Sequence, residues 1–199
     1  MTDANEVAAA AEAVARGDLV VLPTDTVYGI GSRPDDPRAT RAIFEAKGRP
    51  RDLTLPVLVA SEEQARRAAV FDRRAARLAR AYWPGPLTLV LPRTERSRAW
   101  DLGGEGSSIG VRVPQHPLAL DLLRRTGPLA VTSANRSGDP PASDLPALRA
   151  TFGDRVSVYL LEDEPLRGEA STVLALLGPE PVILRRGPLD PSDMPEIAG

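Results

Sequence analysis

A single α/β domain, built on a mixed, twisted β-sheet covered by helices, is the fold class this sequence predicts. Three observations predict it. Apolar runs of strand length alternate with helical stretches early in the chain, strand candidates cluster late, and no repeat, linker or composition break divides the 199 residues. That length is ordinary for one domain, and 42% hydrophobic residues can bury a substantial core. The expected domain is 1–199, with a core over about 5–187 and a proline-rich tail over 188–199 that has no clear structure.

Residues 3–16 read as a helix, with Asp3 as N-cap, Glu6 three residues on and Gly17 at the end. Leu19 to Leu22 is short, apolar and β-branched between Gly17 and Pro23, so a buried strand follows. Pro23 to Gly31 is small, polar and glycine-bearing, a loop where α/β sheets often bind ligands, though a purely structural loop fits it equally. Pro37 to Lys47 is a helix with Ala39, Ala42, Ile43 and Ala46 on one side, closed by Gly48 and Pro50. Leu55 to Val59 is a strand, and Ser61 caps a helix that starts Glu62-Glu63. A helix from Arg73 to Trp83 stops at Pro84-Gly85-Pro86, and Leu87 to Leu91 is the next strand. Residues 93–106 read as an exposed polar loop, and Ser107 to Val113 as an alternating strand that carries Arg112. Pro117 to Thr126 is a helix, with proline tolerated in its first turn. Leu129 to Val131 is a short strand, 145–152 a short helix, and 156–160, 171–176 and 181–185 three late strands.

Composition excludes several chemistries. There is no cysteine, so no disulfide framework and no thiolate metal site. One histidine, His116, cannot build a histidine cluster and reads as a structural or surface residue, so a zinc site or a histidine-based hydrolase is not expected. No P-loop is present, and Gly103-Gly104-Glu105-Gly106 precedes a strand instead of following one. A net charge of −2 gives no global argument for nucleic acid. The N-terminus lacks a basic leader pattern and no apolar run has spanning length, so a cytoplasmic protein away from membranes is expected.

One stretch stands apart. Lys47 is the only lysine among 25 basic residues, in the segment Lys47-Gly48-Arg49-Pro50. Lysine delivers a compact charge on a mobile stem, whereas arginine offers a rigid fork. Two such cations split by a glycine can converge on one anion, although a plain helix end explains the same residues. Short hydroxyl-rich or cationic patches recur at other strand ends: Thr24/Thr26, Ser108/Arg112, Ser133/Asn135 and Ser171/Arg185. Each serine or threonine alone is more often a turn former or cap. Five patches on one small sheet suit phosphate or carboxylate recognition.

In chain order, Pro23-Thr24-Asp25-Thr26-Val27-Tyr28-Gly29, Lys47-Gly48-Arg49-Pro50, Trp83-Pro84-Gly85-Pro86-Leu87-Thr88, Val111-Arg112-Val113-Pro114 and Thr132-Ser133-Ala134-Asn135 with Ser137-Gly138 resemble the YrdC-like family of threonylcarbamoyl-AMP synthases. The resemblance runs over nearly the whole chain, and its K-x-R and S-x-N pairs form the family's tetrad. It implies a YrdC-like fold and synthesis of L-threonylcarbamoyladenylate from L-threonine, bicarbonate and ATP, with release of pyrophosphate, for t6A modification of tRNA. It implies a catalytic set of Lys47, Arg49, Ser133 and Asn135. ATP contacts would come from Lys47, Arg49, Ser108, Asn135, Ser143 and Arg185. Threonine contacts would come from Thr26, Arg112, Ser133 and Ser171. No protein metal site is implied; Mg²⁺ would arrive with ATP, and tRNA-modification proteins would take the product. Leu53-Thr54 stands where the family usually has a polar or basic residue followed by proline. Leu58 stands near a histidine of longer members, and their second domain has no counterpart here.

Arg66, Arg67, Arg73, Arg74, Arg77 and Arg80 read as a solvated arginine-rich surface or as a weak RNA contact. Trp83 and Trp100 read as packing residues. Two other functional classes stay open: an RNA-binding paralogue with little synthase activity, and a carbamoyl-adenylate-forming domain of the carbamoyltransferase type.

Overall fold

A computed structural model describes residues 4–162, 166, 168–190 and 194. Its elements are α1 (Ala4–Arg16), β1 (Leu19–Leu22), β2 (Gly29–Ser32), α2 (Pro37–Lys47), β3 (Val57–Leu58), α3 (Glu62–Ala68), α4 (Arg73–Tyr82), β4 (Leu87–Pro92), α5 (Glu95–Arg98), β5 (Ser108–Arg112), α6 (Pro117–Thr126), β6 (Leu129–Ser133), α7 (Leu145–Phe152), β7 (Val156–Tyr159), β8 (Thr172–Ala175) and β9 (Val182–Arg185). The strands form one nine-stranded sheet in the order β7-β1-β2-β6-β3-β5-β4-β8-β9. Pairing is mixed: β1/β7, β3/β5 and β4/β8 are parallel, while β1/β2, β2/β6, β3/β6, β4/β5 and β8/β9 are antiparallel. The expected mixed sheet with helical cover is therefore present.

Alternation along the strands assigns the two faces, because successive strand side chains point to opposite sides. On one face Leu87, Leu89, Leu91, Ile109 and Val111 pack with residues of α2, α3, α4 and α7 in the larger core. On the other, Val20, Leu22, Leu129 and Val131 pack under α1 and α6 in a smaller core. That second core contains no residue of β4, β5 or β8. Two helices thus cover only one half of the second face, and the other half stays open for a site.

Local chemistry sets most of the element ends. The Asp36, Ser61, Asp72 and Asp144 side chains accept from backbone N–H groups at the starts of α2, α3, α4 and α7. Gly48 ends α2 in the left-handed region at φ 60°, where a β-carbon is disfavoured. The Trp83–Pro84 bond is cis.

Several expectations need correction. Gly29–Ser32 is a strand, not loop: it pairs with β1 and β6, and at Gly29 and Gly31 an added Cβ would collide with Val131. Glycine there lets the β6 side chain fill the space. The segment 93–106 is not an exposed loop. It contains α5, and Arg93, Ser97, Trp100 and Leu102 are buried. The Arg93 guanidinium donates to the carbonyls of Ser97, Trp100 and Ser108, and so ties the α5 segment to the start of β5. Trp100 packs in the core, while the Trp83 indole N–H donates to Leu87 O at 2.7 Å and its ring meets Phe71 edge-on. Strand β6 runs on to Ser133, two residues beyond the expected end. Asp3 lies outside the described residues.

Candidate functional site

The uncovered half of the sheet floors a cavity of about 410 Å³. Alternation builds the floor. Thr88 and Val90 of β4, Ser108, Gly110 and Arg112 of β5, and Ser171 and Val173 around β8 point into it, while their neighbours point into the core. Gly110 keeps the floor low: an added Cβ there would lie 3.3 Å from Thr88 and 3.4 Å from Pro56. Thr24 and Thr26 form one wall, Arg49 and Thr54 another, and Ser133 and Arg185 complete the rim. The lining holds three arginines and several hydroxyls, with no Asp or Glu among the described residues.

Arg112 is buried at the centre of one side. Its Nη2 pairs with Asp25 Oδ1 at 2.5 Å, its Nη1 donates to Thr26 Oγ1 at 3.0 Å, and its Nε donates to Gly85 O at 3.0 Å. Burial pushes its pKa down, and Asp25 opposes that. Thr26 and Thr24 hydroxyls lie 2.9 Å apart, and Thr24 Oγ1 donates to Val27 O at 2.6 Å. The threonine pair therefore folds the loop on itself and presents Thr26 to the guanidinium. Ser171 is shared between Thr88, at 2.8 Å, and Arg185, whose Nη2 donates to it at 3.0 Å. Arg185 also donates through Nε to Ser171 O.

Lys47 closes the opposite side from behind. Its Nζ donates to Ser133 O at 2.5 Å, Asn135 O at 2.6 Å and Asn135 Oδ1 at 3.3 Å. The Asn135 amide is fixed by donating to Arg136 O and Asp139 O. The three oxygens favour the ammonium, yet removal from water, and secondarily the Arg49 charge, lower the Lys47 pKa to about 8. Arg49 reaches the carbonyls of Leu53 and Thr54 only at 3.5 and 3.3 Å, so its fork is loosely held. Gly104 packs directly under Thr54, and its N–H donates to Arg51 O, which steadies this loop.

Of the residues singled out in the sequence, Thr26, Arg49, Ser108, Arg112, Ser133, Ser171 and Arg185 line the one cavity. Lys47 and Asn135 join it through Ser133. Ser143 is not among the lining residues; its carbonyl accepts from Leu166 N at 3.2 Å. Sequence reasoning passed over Asp25, Thr88 and Gly110. The signal for the last two was present, since each is a polar or small residue at an alternate position in an apolar strand. His116 is buried, with Nε2 3.1 Å from Glu162 Oε1, and burial lowers its pKa. Among the described residues there is no group of three or more metal-ligating side chains, and no helix is long and apolar enough to cross a membrane. Three of the six arginines of α3 and α4 are paired locally: Arg66 with Glu62, Arg67 with Glu63, and Arg74 with Asp72.

A family model described as telomere recombination, spanning Sua5, YciO and YrdC proteins, matches residues 12–187. A Mycobacterium tuberculosis relative is 42% identical over 194 residues, covering 97% of this chain and 89% of its own length. A Pyrococcus abyssi relative named threonylcarbamoyl-AMP synthase is 38% identical over 192 residues, 96% of this chain; the chain spans 56% of that relative. The structure is similar to that of P. abyssi Sua5 complexed with L-threonine, with a TM-score of 0.83 and 37% identity over 91% of this chain and 54% of the other. It is also similar to Escherichia coli YciO, with a TM-score of 0.85 and 27% identity over 92% and 90% of the two chains.

Proposed function

We propose that this chain, which belongs to the Sua5/YciO/YrdC family, makes L-threonylcarbamoyladenylate from L-threonine, bicarbonate and ATP and releases pyrophosphate. One observation carries the reading. Lys47 and Asn135, 88 positions apart, meet at 3.3 Å beside a cavity that also holds Arg49, Arg112 and Arg185.

The two sides of the cavity suit two substrates. Lys47 and Arg49, with Ser133 and Asn135 opposite, form the phosphate side, and Ser108 and Arg185 contact the rest of the nucleotide. Arg112 takes the threonine carboxylate, flanked by Thr26 and Ser171. Asp25, Thr26 and Gly85 hold its guanidinium in one orientation, which suits two-point recognition of a carboxylate. The relative solved with L-threonine supports an amino-acid subsite in this fold.

The chemistry needs no side-chain nucleophile. The threonine amine and CO2 from bicarbonate form a carbamate. A carbamate oxygen then attacks the α-phosphorus; the bond to the bridging oxygen breaks, and pyrophosphate leaves with its electrons. The protein aligns the two substrates and stabilises the charge that builds on the phosphates. Alignment alone reaches effective molarities of about 10⁵–10⁸ M. Mg²⁺ fits this lining as an ion carried by the triphosphate, because the described lining residues offer hydroxyls and no carboxylate. It would supply further charge neutralisation. The product is a reactive adenylate, so tRNA-modification proteins in the cytoplasm are its expected consumers. The local pairing of Arg66, Arg67 and Arg74 gives no added support to an RNA-binding role.

The test is direct. Purified protein with Mg·ATP and bicarbonate should release pyrophosphate from labelled ATP only when L-threonine is added. Lys47→Ala should lose this turnover while keeping the circular dichroism of the parent. Threonine-independent release, or full activity in the variant, overturns the reading.

A further inference from the structure

The structure holds a second cavity, of about 350 Å³, that shares no lining residue with the first. Strands β2 and β6 fix its position. Gly29 pairs with Ser133 at the end that faces the first cavity, and Ser32 pairs with Ala130 at the other. The second cavity lies at that other end, lined by Arg33 and Pro34 just after β2 and by Thr126 to Pro128 just before β6. Arg67 from α3, Arg96 from α5 and Arg125 from α6 converge on it with Arg33, and Asp35 is the single carboxylate among the described residues of its wall.

The arginines differ in how firmly they are held. Arg33 is fixed: it forks onto Asp35 at 2.7 and 3.0 Å and donates to Ala15 O at 3.1 Å. Arg67 and Arg125 pair with Glu63 and Asp121 in exposed i,i+4 contacts, which are worth little and can be exchanged. Neither Glu63 nor Asp121 lines the cavity. Among the described residues the Arg96 side chain has no hydrogen bond or ion pair, and its charge acts on Asp35 only at longer range. Helix-end placement explains Arg67 and Arg125 one at a time. It does not explain four guanidinium groups from four segments around one hollow. The rest of the wall is chemically distinct: Val14, Pro34, Trp100 and Pro128 are apolar, and Gln64, whose Oε1 accepts from Ala60 N, keeps its NH2 as a donor.

We infer that this second cavity binds a small phosphorylated molecule with a ring or apolar body, of nucleoside-monophosphate class. Its phosphate would sit on Arg67, Arg96 and Arg125, and its body against Val14, Pro34 and Trp100. Guanidinium forks match phosphate oxygens in pairs. The volume lies within the range of about 300–1,000 Å³ common to small-molecule sites. This cavity has an indole in its wall, whereas the aromatic residue of the first is a phenol, Tyr28, and it takes no part in the proposed chemistry.

Trp100 supplies the readout, since the chain has two tryptophans and Trp83 lies elsewhere. In ¹H–¹⁵N spectra of the full chain the indole resonance that survives in Trp83→Phe belongs to Trp100. Titration with AMP should shift it along a saturable curve. Adenosine and inorganic phosphate should each bind at least about tenfold more weakly, because each fills half of the site. Arg67→Glu/Arg96→Glu should weaken AMP at least about tenfold while retaining threonine-dependent pyrophosphate release. Arg80→Glu, an exposed charge change on α4, should leave the titration unchanged. The response should persist in Lys47→Ala, which separates this site from the first cavity. If the double variant unfolds early by thermal melt, Arg96→Gln replaces it. No Trp100 shift at millimolar AMP overturns the inference. So does an unchanged titration in the arginine variants, loss of the response in Lys47→Ala, or phosphate or adenosine alone binding as tightly as AMP.

Discussion

The two faces of strands β4 and β5 carry residues that alternate one by one and serve different ends. Leu87, Leu89, Leu91, Ile109 and Val111 face the helices and are fully or almost fully buried. Thr88, Val90, Ser108, Gly110 and Arg112 face the cavity. The first set is uniform, large and apolar; the second mixes hydroxyl, glycine and guanidinium. A strand of period two can thus hold the domain together with one set and bind ligand with the other. The separation should be visible in variants, since damage to one face should leave the function of the other nearly intact.

The largest expected effect is on the core face. Leu89→Ala removes a fully buried side chain of the larger core and should cost about 2–5 kcal/mol of unfolding free energy. In a chain of this size that is a fall in melting temperature on the order of 10 °C. The KM values of the folded enzyme should stay near those of the parent. The mirror experiment is Gly110→Leu. Its side chain would rise into the cavity between Thr88 and Pro56. Turnover should fall about a hundredfold or more, equivalent to roughly 2.7 kcal/mol, with a melting shift of only a few degrees. If Gly110→Leu unfolds the protein and Leu89→Ala spoils substrate binding, the division of labour is wrong.

Arg112 tests the border between the faces, because it is buried like a core residue and polar like a site residue. Asp25→Asn keeps the shape of its partner but removes the charge that compensates it. The side chains of the pair are 6% and 13% exposed, so solvent screens the loss poorly. Stability should fall by about 2 kcal/mol, and the KM for threonine should rise more than that for ATP. A rise confined to ATP would move Arg112 to the nucleotide side.

The cavity face was less legible in the sequence than the core face, and particular residues show why. Leucine at 87, 89 and 91 announces a strand by pattern alone, and the helices at 37–47 and 145–152 fall at their expected bounds. Short motifs marked Lys47, Arg49, Ser133 and Asn135 as chemistry-bearing, but only the β2/β6 pairing and the end of α2 bring them together. Asp25 was overlooked because its role is a contact with Arg112, 87 positions away. No local pattern encodes such a contact. Residues 93–106 misled for a similar reason: their polarity reads as loop, whereas Arg93 uses its polarity internally on backbone carbonyls. Burial of polar groups is a tertiary fact that hydropathy misreads.

The smallest effect, and the sharpest test of the site, concerns the charge of Lys47. In the free protein its pKa lies near 8, against 10.5 for an ordinary lysine. Two consequences of opposite sign follow. On the proposed reading the ammonium holds phosphate, so ATP affinity should hold below about pH 8 and fall above it, by up to about tenfold per unit, or 1.4 kcal/mol. Stability should move the other way. The native chain sheds this proton at lower pH than the unfolded chain, which therefore binds more protons between about 8 and 10.5. Stability then rises with pH across that window. Calorimetric ATP titrations and denaturant melts from pH 7 to 10 read the two slopes. Lys47→Met, which keeps the length of the stem without the charge, should bind ATP weakly at every pH and lose its share of the stability slope. The cause of the shift predicts a further asymmetry. ATP phosphates restore an opposite charge beside the ammonium, so bound nucleotide should raise the lysine pKa, and ATP binding above pH 8 should take up a proton. Equal proton uptake by the parent and by Lys47→Met would place the titrating group elsewhere.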